Sequence, residues 1–142
     1  FNKETIPQLK IVLKDLPSYD RTTINAWEDK EFVAAVKATG RKKLIMTALW
    51  TEACLTFPVL DALKDGYSVY IVVDAVGGTS VAAHHAAIRR MEQAGAISIS
   101  VSQLFCELQR DWSRSETSQD FMRLFIETGG TAGIQFSYDA SE

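Results

Sequence analysis

The sequence predicts a parallel α/β fold, and three observations carry that prediction. Short apolar runs alternate with helical patterns through the middle of the chain. The run at residues 67–74 is apolar without interruption from Val69 to Val73, the signature of a strand covered on both faces. Each helical stretch opens on an acidic residue, Ser or Thr and stops at a glycine.

The elements follow in order. Residues 1–16 give a short helix around Ile6, Leu9, Val12 and Leu13, with Pro7 in its first turn. Residues 20–26 suggest one edge strand. Asp29 opens a helix over 29–39, where Phe32, Val33 and Val36 recur at helical spacing and Gly40 ends it. Residues 42–48 form the next strand. Thr51 begins a helix that ends near Gly66, and residues 67–74 return as a strand. Ser80 opens a helix to Gln93, stopped by Gly95, and residues 96–101 are the third clear strand. The β-α-β-α-β order predicts a parallel sheet with right-handed crossovers. Residues 104–112 carry a late helix, with Cys106 on its core face. A helical tail occupies about 113–142, and Phe121, Leu124 and Phe125 mark an amphipathic helix within it. The whole is one domain, 1–142. Its few strands fall short of the about five or six usual for a sheet, so the chain reads as the back part of a longer domain.

Composition narrows the function. The chain has 142 residues, 46% hydrophobic and 23% charged, as a globular domain should. A net charge of −3 argues against a nucleic-acid partner. No apolar run approaches the about 18 residues of a membrane span, which argues against a membrane partner. Two cysteines, Cys54 and Cys106, are too few for a disulfide framework and predict a reducing, cytoplasmic setting.

The chemistry concentrates at residues 47–58. Here a strand ends, a turn follows, and Cys54 falls in the first turn of a helix, at the carboxyl edge of the sheet where ligands bind. Thr51, three residues earlier, is placed to cap that helix. The unpaired N–H groups of a helix start favour a thiolate, the nucleophilic form of cysteine, and can hold an oxyanion. Pro58 removes the N–H that would bond the Cys54 carbonyl. A buried structural cysteine is the alternative, since free cysteine is often buried. Trp50 is placed to line the site. His84 and His85 are adjacent on one helix and diverge by about 100°, so they do not share a metal ion. Gly77 and Gly78 form a turn before the Ser80 cap rather than a phosphate loop. Asp74, at a strand end, is better suited to capping than to catalysis.

Several blocks together resemble a known family. These are Asp20-Arg-Thr-Thr-Ile-Asn-Ala-Trp27, the segment 35–46, Thr51-Glu-Ala-Cys-Leu-Thr-Phe-Pro58, Gly66-Tyr67 with Val72-Val-Asp-Ala75, and Glu107-Leu-Gln-Arg-Asp-Trp112. In order and spacing they resemble the isochorismatase-like cysteine hydrolases, nearest the YcaC-type subgroup. The resemblance spans residues 17–113. It implies a three-layer α/β/α fold with a mostly parallel sheet. It also implies a cofactor-independent hydrolase acting on a small amide, ester or related carbonyl compound, with no metal. Cys54 matches the nucleophile and Arg21 the cationic partner. Trp50 and Thr51 match the oxyanion and substrate-binding segment, and the resemblance places a cis peptide at Leu49–Trp50. The family's general-base aspartate belongs to a segment N-terminal to residue 1. Related hydrolases assemble, and a homo-oligomer built on the C-terminal helices is expected. The competing reading is a non-catalytic remnant or assembly subunit of the same fold, lacking that aspartate.

Overall fold

The computed structural model describes residues 4–139. Three strands, β1 (Lys43–Met46), β2 (Ser68–Val72) and β3 (Ile97–Ile99), form one parallel sheet in the order β1-β2-β3. Leu44 lies opposite Val69, and Ile71 opposite both Met46 and Ser98. The alternation read from the sequence is therefore the observed architecture. The helices are α1 (Pro7–Val12), α2 (Lys30–Ala38), α3 (Thr56–Lys64), α4 (Val81–Gln93), α5 (Val101–Gln109), α6 (Ser115–Thr128) and α7 (Gly130–Asp139).

The predicted helix ends have the expected chemistry. The Asp29 carboxylate accepts from the Phe32 N–H at 2.8 Å and opens α2. The Ser80 hydroxyl accepts from the Ala83 N–H at 3.1 Å and opens α4. The stops at Gly40 and Gly95 have φ of +65° and +107°, where a side chain would be strained. α1 starts on Pro7, as expected; residues 1–3 of that predicted helix, like residues 140–142 of the tail, lie outside the described residues.

Central strand β2 anchors the core. Val69 and Ile71 are buried with Leu55 just before α3, Val59 and Ala62 of α3, and Met91 of α4. Trp27 packs edge-on against Tyr67, with ring centroids 5.6 Å apart, and donates its indole N–H to Asp65. In the tail, Phe121 is buried between Trp112 and Phe125.

Two expectations are corrected. Residues 20–26 form no strand. The Arg21 guanidinium donates to the carbonyls of Thr23 and Ile24, and the Thr23 hydroxyl to the Asn25 carbonyl. Asn25 in turn caps a single 3₁₀ turn, Ala26–Glu28. These local bonds use the acceptors a ladder would need. Cys106 is exposed rather than core, because α5 turns that face outward. Among the described residues no helix is long and apolar enough to cross a membrane.

Candidate active site

Cys54 sits past the carboxyl end of β1, on a π-helical turn, Thr51–Leu55, that leads directly into α3. Its register follows from the sequence. The Leu55 N–H reaches the Trp50 carbonyl, and the Thr56 N–H the Thr51 carbonyl, each five residues back. Widening the turn makes Thr56 the first residue of α3. Because the π-turn runs straight into α3, Pro58 has helical residues before it and offers no N–H to the Cys54 carbonyl four residues back. Such turns are frequent at functional sites. Cys54 is half-buried. The Leu49–Trp50 peptide is cis, as the resemblance implied. The Trp50 ring is 57% exposed beside the turn.

Thr51 does something other than the sequence suggested. The capping position belongs to Trp50, and no side chain caps the turn. Thr51 is fully buried. Its N–H donates to the Gly77 carbonyl at 2.9 Å, and its hydroxyl lies 2.9 Å from His84 Nδ1. Its carbonyl accepts the Thr56 hydroxyl at 2.6 Å. With N–H and hydroxyl both engaged, Thr51 holds the turn in place instead of donating to a ligand.

Residues 77–80 cover the turn. Leu49 and Gly77 form a parallel bridge. The Glu52 carboxylate accepts from both the N–H and the hydroxyl of Thr79, the former at 2.9 Å. These bonds hold the Glu52 carboxyl below its ordinary value. Its second oxygen, Oε2, is buried without a partner among the described residues. Glu52, Thr79 and His84 were not legible as site residues. They come together only through the crossover that lays segment 77–80 and α4 over the turn, and no local spacing announces it.

The remaining candidates are distributed otherwise. Arg21 spends its guanidinium on its own loop, at Thr23 and Ile24. That loop is fastened to α3 by the Asn25 amide, which donates to Asp61 at 2.7 Å. Asp74 is structural, as expected, but its side-chain bond is not to the loop that follows it: its carboxylate accepts the Val101 N–H at the start of α5 at 2.8 Å, 27 residues away. The His84 and His85 rings are tilted, 5.6 Å apart, with His84 turned to Thr51. Among the described residues no three His, Cys, Asp or Glu side chains cluster as metal ligands would.

Comparison with known proteins bears on the fold and the family. The probable hydrolase YcaC of Escherichia coli is 43% identical over 112 residues, which is 78% of this chain and 54% of that protein. The chain thus spans little more than half of that relative. The crystal structure of Escherichia coli YcaC, an octameric hydrolase of unknown specificity, superposes with a TM-score of 0.86 at 37% identity. It covers 98% of this chain and 68% of its own. YcaC from Pseudomonas aeruginosa, solved with hexane-2,5-diol and covalent acrylamide, gives 0.88 at 34% identity with the same coverage. The profile of the isochorismatase domain matches residues 2–103. A parallel sheet with Cys54 at its carboxyl edge, and a match over most of the chain, lead to one conclusion: this chain belongs to the isochorismatase family of hydrolase-like domains.

Proposed function

We propose that this protein is a cofactor-independent cysteine hydrolase in which Cys54 attacks the carbonyl carbon of a small amide or ester. The supporting observation is the half-buried thiol on a π-turn at the carboxyl edge of a parallel sheet, beside an exposed indole. The Cys54 sulfur forms a bond to carbon, and the carbonyl oxygen takes the negative charge. N–H groups of Trp50 and Cys54 hold that oxyanion, while the Trp50 ring forms an apolar wall. The C–N or C–O bond then breaks, and the leaving group departs with the proton first taken from the thiol. The family resemblance assigns the carriage of that proton to an aspartate. Water cleaves the thioester, releasing the acid and restoring the thiol. Arg21 orients substrate by exchanging its own loop carbonyls for an oxygen of the ligand. Thr51 acts through the backbone it fixes.

Turnover of a panel of small chromogenic amides and esters tests this reading. Cys54→Ser should lose at least about a thousandfold in kcat/KM, and Arg21→Ala should raise KM. A Cys54→Ser protein that keeps turnover within a few-fold would refute the proposal.

The Pseudomonas relative holds covalent acrylamide, a reagent that adds to thiols, and this supports a nucleophilic thiol here. The octameric Escherichia coli relative supports a homo-oligomer. Leu108 on α5, Trp112 in the turn between α5 and α6, and Ile134 on α7 are exposed and suit a contact between copies. Sedimentation equilibrium should find an assembly, and a monomer at all concentrations would exclude it.

A further inference from the structure

We infer that His84 is a positioning residue for Cys54, holding the nucleophile turn through the Thr51 hydroxyl; this rests on the nucleophile reading of Cys54 above. Thr51 opens the π-turn, and three of its polar groups face three different elements. The N–H is on Gly77, the carbonyl on the first turn of α3, and the hydroxyl on His84 of α4. The first bond is made by backbone alone, and the Thr51 carbonyl takes the Thr56 N–H as well as its hydroxyl, so both anchors keep a backbone part that would survive most substitutions. The third depends on one imidazole.

The donor can be assigned. Thr51 is fully buried, and a buried hydroxyl proton needs an acceptor. Among the described residues the hydroxyl has His84 Nδ1 as its partner, at 2.9 Å. Thr51 therefore donates, and the imidazole carries its proton on Nε2. The backbone that carries the ring is fixed. The His84 main-chain N–H bonds the Ser80 carbonyl at 2.9 Å, and the Ser80 hydroxyl caps the same helix. Glu52 also ties the turn to segment 77–80 by accepting from Thr79. The turn is thus held both by α4 and by segment 77–80, which meet at Gly78 beside Glu52 and His84. Cys54 stands three residues beyond Thr51, so rotation of Thr51 moves the sulfur directly.

The test is the rate of acrylamide addition at Cys54, read by peptide mapping, with Cys106 as the internal reference because it is exposed on α5. The variants are His84→Phe, His84→Asn and Thr51→Val. Phe keeps a ring and removes the acceptor. Asn restores an acceptor near the Nδ1 position. Val keeps the shape of Thr51 and removes its hydroxyl. The expected result is a loss of about ten- to hundredfold at Cys54 in the Phe and Val variants. Cys106 should be unchanged, Asn should recover most of the rate, and the double variant should be no slower than either single one. A merely structural His84 would loosen the turn and leave Cys54 labelling equal or faster, which would overturn the inference. A uniform slowing of both cysteines would overturn it too. Wild-type protein that labels at Cys106 and not at Cys54 would instead refute the nucleophile reading, and this inference with it. Should the Phe variant fail to fold, ¹⁵N NMR of the wild-type histidines at about pH 8 decides. An unprotonated Nδ1 at His84 is expected, and a protonated one would contradict the assignment.

Discussion

Gly78→Ala should destabilise the protein and Gly77→Ala should not, although the two residues are neighbours in one loop. A Cβ on Gly78 would lie 2.8 Å from Glu52 Oε2, 2.9 Å from His84 Cβ and 3.1 Å from His84 Cα. Ordinary carbon contacts are about 3.5–4.0 Å, so three atoms must each yield by roughly half an ångström or more. One of them is backbone in α4, and another is a carboxylate pinned by two bonds from Thr79. Overpacking of this kind costs about 1–3 kcal/mol. For a domain of this size that is roughly 3–10 °C in Tm. A Cβ on Gly77 would also meet an atom at 2.8 Å, but that atom is the Cδ2 tip of Leu49, 71% exposed and free to swing into solvent. Both substitutions gain about 0.4–1 kcal/mol from a stiffer unfolded chain, so the gain cancels in the comparison. Urea unfolding of the two variants measures the difference. Equal stability, or a Gly77→Ala protein less stable than Gly78→Ala, would show that segment 77–80 does not sit against Glu52 and His84 as described.

Two further outcomes are expected. Asp74→Ala removes the acceptor for the Val101 N–H and should cost about 1 kcal/mol, with hydrogen exchange quickened in the first turn of α5; unchanged protection there would refute the capping role. The Glu52 carboxyl lies below its ordinary value because of its Thr79 bonds, so its contribution to stability is complete above the unfolded-state value near 4.5 and is lost as pH falls through the lower folded value. The acid slope of the urea midpoint should flatten in Glu52→Gln, and an unaltered slope would remove Glu52 from the clamp.

The fold was legible because local chemistry and global pattern agree. Uninterrupted burial at Val69 to Val73, the Asp29 and Ser80 caps and the glycine stops each point to the same alternation. The strand expected at residues 20–26 failed because its β-branched residues, Thr22, Thr23 and Ile24, sit beside Arg21 and Asn25, whose side chains take up the local backbone. Cys106 was placed in the core because its neighbours Phe105 and Leu108 are apolar, yet Leu108 and Cys106 both face outward. At the site, the position of Cys54 just past the carboxyl end of a strand was readable from the order of residues. The π register was not, since a cap at Thr51 satisfies the same spacing. His84 was considered for metal binding and set aside. Its bond to Thr51 spans 33 residues, and pairings at that distance depend on how α4 crosses the sheet.

The central claim is that Cys54 is the nucleophile, and trapping its acyl intermediate tests it most directly. The protein is mixed with p-nitrophenyl acetate, quenched in acid within the first turnover, and mapped by mass spectrometry. A single acetyl group on the peptide carrying Cys54, with a matching burst of p-nitrophenolate and neither in Cys54→Ser, is the predicted result. Acetyl groups confined to Cys106 or to lysines, or an equal burst from Cys54→Ser, would contradict it.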